Sequence, residues 1–394
     1  MKLVYIQGGA RLKRADDGSW FINADYTDDV WQRYLDICDE LVIILRTDDE
    51  TYPLHVCQAK FNKVIVRPNV KTIALPDIMK PASRFFSSKI RHKISKIVYN
   101  EVKDADRCIL RSSSYYTIQG FKACRKYGVP YAVEVTGFIK ESQQTKGFAG
   151  RLLAVYFESY MKKMTRHARG AIYVTNQALQ SRYVCPNMVV GCSDVLLSDI
   201  SDKVLQSRLL KIDQKINKIV IGTAGNLDWS LKGHKYVIQA LSELKKKGYT
   251  DIEYQCIGVG TGAQIRENAA KYDVLEQVRV IGPLPHDKVY SWFDSIDIYV
   301  HPSEFEGLCR SIIEAMSRAC PVIACDTGGN FELVENRYLV PVKDYFAIAN
   351  KILLIINDMQ RSAVRNFEIA KGFDKDVLDE KRKCFLKEFA HYDK

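Results

Sequence analysis

The chain has 394 residues, 47% hydrophobic and 27% charged, with a formal net charge of +11. That length exceeds one core and suits two domains, in a composition ordinary for a globular protein. The longest apolar runs are strand-sized, such as Leu41 to Leu45, which excludes a helix with the ~20 apolar residues a membrane span needs. The charge is unevenly spread: residues 1–200 carry 30 Lys and Arg against 20 Asp and Glu, and the rest carry 28 against 27. A basic half beside a nearly neutral one points to an anionic partner, namely a membrane surface, a lipid diphosphate or a nucleic acid. No base-stacking module or helix-turn-helix signal accompanies the charge, which disfavours nucleic acid. The 11 cysteines form no CxxC pair and no Cys/His cluster at zinc spacing. Scattered thiols of this kind predict a reducing cytoplasm, no disulfide framework and no metal site. The opening residues, Met1-Lys-Leu-Val-Tyr-Ile, are too short in their apolar part for a signal peptide.

Lys2 to Ile6 reads as a first strand, followed directly by Gly8-Gly9, where a ligand can approach the backbone closely. Arg11, Lys13 and Arg14 add positive charge beside it. Thr27 is placed to cap a helix running to about Asp39, before a strand at Leu41 to Arg46. Further strands are expected at Lys63 to Arg67, Arg107 to Arg111, Val129 to Val135 and Ala171 to Thr175, the last one closing the first half. Strands alternating with helical patterns mean a parallel sheet. From Arg84 to Val98, helical spacing puts Phe86, Ile90, Ile94, Ile97 and Val98 on one arc. Lys89, Lys93 and Lys96 flank that arc on one side, Arg84 and Arg91 on the other. Cations bracketing an apolar stripe describe a helix lying in an anionic membrane interface; a core helix with a basic outer face has the same pattern. A second basic helix is expected over Arg151 to Arg169. The polar stretch from Ser193 to Asp213 reads as the link between domains.

The alternation restarts at a strand Lys218 to Gly222, followed by a glycine-bearing loop that contains Asn226 and Lys232 and leads into a helix to about Lys247. Gly258, Gly260 and Gly262 follow a strand at Tyr254 to Ile257, with spacing that differs from the dinucleotide fingerprint. Gly282-Pro283-Leu284-Pro285 follows a strand at Val278 to Ile281, and from Tyr345 onward the pattern is helical. Between them lies His301 to Val334, a strand, loop, helix and strand carrying Glu306 on the loop and Glu314 inside the helix. Gly307-Leu308-Cys309 stands at the helix entrance, where unpaired N–H groups favour an anion. Carboxylates beside an anion site suit neutral hydroxyls. A nucleotide sugar carries phosphate between two sets of hydroxyls and meets both requirements.

Glu306-x7-Glu314 resembles the signature of retaining glycosyltransferases with two facing Rossmann-like domains, the GT-B fold of glycosyltransferase family 4. The resemblance is strong over residues 217–342 and architectural over the first half. It implies an α/β protein of two parallel sheets flanked by helices, with a cleft between an acceptor-side domain at 1–200 and a donor domain at 201–375. A C-terminal helix at 376–394 would cross back to the first domain. Carried over, Glu306 holds the transferred sugar, Glu314 the ribose, and the Gly307, Leu308 and Cys309 amides the diphosphate. Gly8, Gly9, Gly222 and Gly260 would lie along the donor phosphates, with Pro283 and Leu284 at the base. Lys232 matches the lysine that neutralises the diphosphate, whereas Asn226 stands where relatives carry arginine and Cys309 where many carry glycine. Thr136 occupies the position of a histidine near the sugar, so Arg11, Glu134 and Thr136 are left as acceptor-side candidates.

The expected activity is metal-independent, cofactor-free, retaining transfer from a UDP- or GDP-sugar to a lipid-linked or oligosaccharide acceptor. Its expected location is cytoplasmic, at the inner face of the membrane. The alternative is a non-catalytic sugar-nucleotide-binding or lectin-like scaffold of the same fold.

Overall fold

A computed structural model describes residues 1–23, 26–145, 147–197, 200–214 and 218–391. The chain divides into two compact units, an N-terminal one of Met1–Cys192 plus the segment from Glu380, and a C-terminal one of Ser193–Asp379.

The N-terminal unit contains β1 (Lys2–Ala15), β2 (Trp20–Asn23), β3 (Glu40–Tyr52), β4 (Phe61–Lys63), β5 (Val70–Leu75), β6 (Arg107–Arg111), β7 (Tyr131–Val135), β8 (Gly170–Tyr173) and β9 (Met188–Gly191). Seven of these run side by side in the order β5-β3-β1-β6-β7-β8-β9, each neighbour parallel to the next. The far end of β1 pairs antiparallel with β2, which pairs antiparallel with β4. Leu3–Ile6, Leu41–Leu45 and Cys108–Leu110 are buried throughout, as parallel strands covered by helices on both faces require. The strand order reverses between β1 and β6.

Several expectations for this half shift. β1 continues through Gly8-Gly9, so these glycines lie within a strand and not in a loop. A Cβ on Gly8 would sit 2.4 Å from Ser114 Oγ, which caps helix Tyr115–Tyr127. Glycine here admits that helix start, and the β1–β3 register slips between Ile6 and Arg11. β4 ends at Lys63, where Lys63 to Arg67 was expected as strand, and β5 and β9 are additional strands. The helix over Arg84 to Val98 is broken: Arg84 lies in a 3₁₀ turn, Ala82–Phe86, and helix Ser88–Lys103 starts afresh, with Ser87 Oγ accepting from the Ile90 N–H. Ile94 and Val98 are buried in the core of this unit, and Ile90 and Ile97 pack against it. The apolar stripe is therefore a core face, and only Phe86 of that stripe is exposed. Lys89, Arg91, Lys93 and Lys96 remain exposed on the outer side.

The C-terminal unit contains β10 (Ile219–Ala224), β11 (Ile252–Ile257), β12 (Val278–Gly282), β13 (Ile298–His301), β14 (Val322–Cys325) and β15 (Leu339–Val340). Their order is β12-β11-β10-β13-β14-β15, all parallel. Right-handed crossovers that lead outward from β10 put helices His234–Lys246 and Ala263–Lys271 on one face of the sheet. The return to β13 and onward to β14 puts helices His286–Ser295 and Arg310–Ser317 on the other face. Contacts within each pair agree with this division. The order reverses between β10 and β13, and in open sheets of this kind ligands bind at the carboxyl ends of the strands at that point.

Helix Lys375–His391 closes the chain; Tyr392, its expected end, lies outside the described residues. Its Phe385, Leu386 and Phe389 are buried, and the Arg107 guanidinium donates to the Phe389 and Ala390 carbonyls at 3.2 Å each. Among the described residues, no helix is long and apolar enough to cross a membrane.

Candidate active site

Three loops of the C-terminal unit meet where its strand order reverses: those after β10, β13 and β14. Lys232 ends a short 3₁₀ turn, Ser230–Lys232, and lays its stem across Gly225, whose missing Cβ would lie 3.3 Å from the lysine Cδ. Its ammonium donates to Glu306 Oε1 at 2.6 Å, and His301 Nε2 meets the same oxygen at 2.9 Å. Among the described residues, nothing donates to Glu306 Oε2. On its other side the His301 ring faces Cys309 Sγ at 3.5 Å and the Tyr299 hydroxyl at 3.3 Å. Ser311 Oγ ties both together, at 2.7 Å from the tyrosine hydroxyl and 3.1 Å from the thiol.

Two glycines let the loops press this closely. Gly233 has φ +73°, and a Cβ there would fall 2.0 Å from the Pro302 carbonyl oxygen. Gly328 has φ +59°, with the Glu306 carbonyl oxygen 2.3 Å from such a Cβ. Both positions combine a left-handed backbone with contact to the next loop, which only glycine satisfies.

Burial works against the charge of each group in the cluster, and the neighbours outweigh it. The Glu306 carboxyl is held down at about 2 by His301 and Lys232. Desolvation would lower His301, but Cys309 and Glu306 raise it to about 9. Lys232 is likewise raised, with Glu306 overcoming desolvation. Lys232 and His301 thus share one carboxylate oxygen beside a helix entrance. Helix Arg310–Ser317 begins at Cys309, which makes no side-chain cap to it. An uncapped, positively flanked helix start can hold an anion. His301, Glu306 and Cys309 also bring three potential metal ligands within 4.8 Å of one another. They fit an ion poorly, because the imidazole stands between carboxylate and thiol with one nitrogen toward each, and Glu306 already holds an ammonium.

The expected site residues fall into three groups. Glu306, Lys232 and Cys309 come together directly, and Gly307 and Leu308 lead into the same helix, which carries Glu314 half-buried on its second turn. Asn226 is in the adjoining loop, where its Oδ1 accepts from the Asp228 N–H at 3.0 Å, and Gly260 packs against Asp228. Pro283 and Leu284 follow β12, two strand spacings, or about 10 Å, from β10. Gly222 does not lie in the loop. It is inside β10, where a Cβ would meet Trp292 at 2.6 Å, and Gly225 takes the loop position beside Lys232.

The acceptor-side candidates belong to the N-terminal unit and are engaged there. Glu134 is buried and accepts from the Tyr34 hydroxyl and from Arg111, both at 2.6 Å, so it is a structural carboxylate. Thr136 shares a 2.6 Å hydrogen bond with Ser112, and Arg11 lies 3.5 Å from Asp77. His301, Gly233 and Gly328 are the residues that sequence reasoning missed.

Residues 210–369, which hold this whole cluster, match the family model described as glycosyl transferases group 1. Together with the two doubly wound sheets, this defines the chain as a glycosyltransferase with the GT-B fold. Protein CapJ of Staphylococcus aureus is 28% identical over 394 residues, covering 98% of this chain and 95% of CapJ. The amylovoran biosynthesis glycosyltransferase AmsK of Erwinia amylovora is 31% identical over 132 residues, which span only 31% of this chain and 32% of AmsK. Among solved structures, Anabaena Alr3699/HepE in complex with UDP superposes with a TM-score of 0.60 at 17% identity, over 96% of this chain and 98% of that one.

Proposed function

We propose that the protein moves a sugar, with retention of anomeric configuration, from a UDP- or GDP-sugar to a glycolipid or polysaccharide-repeat acceptor at the cytoplasmic face of a membrane. One observation carries the donor half: Glu306 is an ionised, inward carboxylate fixed through one oxygen by Lys232 and His301, with the other oxygen open. An arriving diphosphate takes the helix entrance and competes for the Lys232 ammonium, and hydroxyls of the sugar compensate Glu306. Glu314 accepts from the ribose, and the Asn226 amide donates to phosphate. As the bond from the anomeric carbon to the phosphate oxygen breaks, Lys232 and the helix amides stabilise the leaving diphosphate. The acceptor hydroxyl attacks from the same face and its proton passes to a diphosphate oxygen, so the step uses no enzyme nucleophile. The positive charge comes from Lys232, His301 and the helix start, and the reading includes no metal.

The membrane half rests on charge. With Ile90, Ile94, Ile97 and Val98 committed to the core, contact with an anionic surface would run through Lys89, Arg91, Lys93 and Lys96, beside the exposed Phe86. AmsK, named for amylovoran biosynthesis, supports a polysaccharide-type acceptor. Release of nucleoside diphosphate across a panel of UDP- and GDP-sugars, with a membrane extract as acceptor, tests the reading. Absence of both turnover and nucleotide-sugar binding would overturn it. Tight donor binding without transfer would favour the scaffold reading, which the asparagine at 226 motivates, since it supplies no charge to phosphate.

A further inference from the structure

The two loops that build the Lys232–Glu306 pair have a second side. The Glu304 N–H donates to the Leu231 carbonyl at 2.8 Å, fastening the turn after β10 to the loop after β13. Lys232 and Glu306 face each other within that pairing, whereas Trp229 and Glu304 line a separate cavity of about 280 Å³. Its other walls are the start of helix His234–Lys246 and the side of helix Ala263–Lys271, both on the sheet face opposite the helix that carries Glu314. Neither Lys232 nor Glu306 lines the cavity.

Its lining is specific in chemistry. Trp229 leaves 42% of its surface exposed and contributes an aromatic ring to the lining. Around it stand Tyr236, Gln264, Asn268, Lys235 and Glu304, a mixture of donors and acceptors. The Tyr236 hydroxyl donates to Glu304 Oε1 at 2.7 Å, and Lys343 lies 3.1 Å from Oε2, so the carboxylate is fixed in place. Lys343 neutralises Glu304 within the wall, and the exposed Lys235 stands at its edge. A flat apolar face ringed by neutral amides and hydroxyl partners matches a sugar ring, which has an apolar C–H face and a polar rim. The volume of about 280 Å³ falls just below the roughly 300–1,000 Å³ of small-molecule sites, which is room for one ring.

We infer that this cavity is a second saccharide site, holding one hydroxyl-rich ring behind the donor site. The ring is a free sugar or the end of a glycan chain. Because the same turn carries Trp229 and Lys232, whose ammonium lies 5.9 Å from the indole ring, occupancy of the cavity bears on the placement of Lys232. That coupling rests on the donor-site reading; the cavity and its ligand do not.

Titrating the full chain with methyl α-glucoside, methyl β-galactoside and N-acetylglucosamine, by saturation-transfer NMR, tests the site directly. At least one of them should bind saturably, with and without UDP. Gln264→Ala with Asn268→Ala should weaken it by about tenfold or more through the lost amide contacts, leaving the thermal melt and UDP affinity unchanged. Trp229→Ala should also remove sugar binding. Repeating the titration with the corresponding disaccharides separates the sources: their exclusion assigns a free sugar and their acceptance a chain end. UDP binding, read on the same samples, reports the donor site independently. No saturable binding of any sugar, or equal affinity in the double variant, overturns the proposal.

Discussion

Glu134 and Glu306 each stand in or just beyond a parallel strand of a doubly wound sheet, with a cation 2.6 Å away. In the N-terminal unit both oxygens of Glu134 are taken, one by Tyr34 and one by Arg111. In the C-terminal unit Lys232 and His301 crowd onto one oxygen of Glu306. A carboxylate saturated on both oxygens holds structure together; one saturated on a single oxygen remains able to receive a substrate hydroxyl. Topology supplies the position in both units, and the distribution of donors decides the use.

The largest effects should come from that contrast. Glu306→Gln should lower turnover by about 10²–10³ in protein that remains folded, the range for removing a preorganised electrostatic group. Glu134→Ala should do the reverse, costing about 3 kcal/mol of stability by stranding Arg111 and Tyr34. Diphosphate-release kinetics and thermal melts on both variants read the pair; wild-type turnover in a folded Glu306→Gln protein, or lost turnover in a folded Glu134→Ala protein, would erase the distinction.

The units also differ in what they present outward. Replacing Lys89, Lys93 and Lys96 by Glu should weaken binding to anionic vesicles by at least a hundredfold at low salt, since each surface cation contributes about 1 kcal/mol. Donor affinity should stay unchanged. Ile94→Asp should instead unfold the unit, because that side chain is buried in its core. Co-sedimentation beside a melt separates these outcomes, and unchanged sedimentation of the triple variant would remove the membrane contact from this helix.

Paired glycines sharpen the comparison at smaller scale. Gly128 and Gly233 have φ of +71° and +73°, but a Cβ on Gly128 meets nothing, whereas one on Gly233 meets Pro302. Gly128→Ala should cost about 1 kcal/mol of stability. Gly233→Ala should cost more and also weaken donor binding, by displacing the turn that ends at Lys232.

The smallest effect is in pH. His301 titrates at about 9, above its ordinary 6.5, so its stabilising contribution is complete below 6.5 and is lost as pH rises through 9. Glu306 is depressed from 4.5 to about 2, so its contribution is complete above 4.5 and fades toward pH 2. Donor affinity should be level near neutrality and fall severalfold above pH 9. His301→Gln should remove that alkaline limb from an affinity–pH profile.

The donor stretch was legible in the sequence because its chemistry is contiguous: strand, carboxylate, helix entrance and second carboxylate follow within 14 residues, from His301 to Glu314. Lys232 was legible through the family resemblance, which places a lysine before a glycine in the loop after this strand. His301 was not, since a lone histidine at a strand end reads as core until Glu306 and Cys309 fold onto its two nitrogens. Gly328 acquires its meaning only when the loop after β14 closes on Glu306. Gly8 was read as following the first strand, where a ligand approaches the backbone, and Gly222 as ending its strand; packing against Ser114 and Trp292 keeps both inside strands. Helical periodicity identified the stripe on the basic helix but carries no information about what covers it, and the core covers it.

The central claim is that the reversal point of the C-terminal sheet is the donor site. Calorimetric titration of UDP and of GDP into the wild type, Lys232→Met and Glu314→Ala tests it most directly. The account predicts saturable binding of at least one nucleotide, weakened roughly ten- to a hundredfold in Glu314→Ala, the range for a hydrogen bond to a charged group, and at least tenfold in Lys232→Met, with both variants still folded. Wild-type affinity in both folded variants, or no nucleotide binding by the wild type, would contradict it.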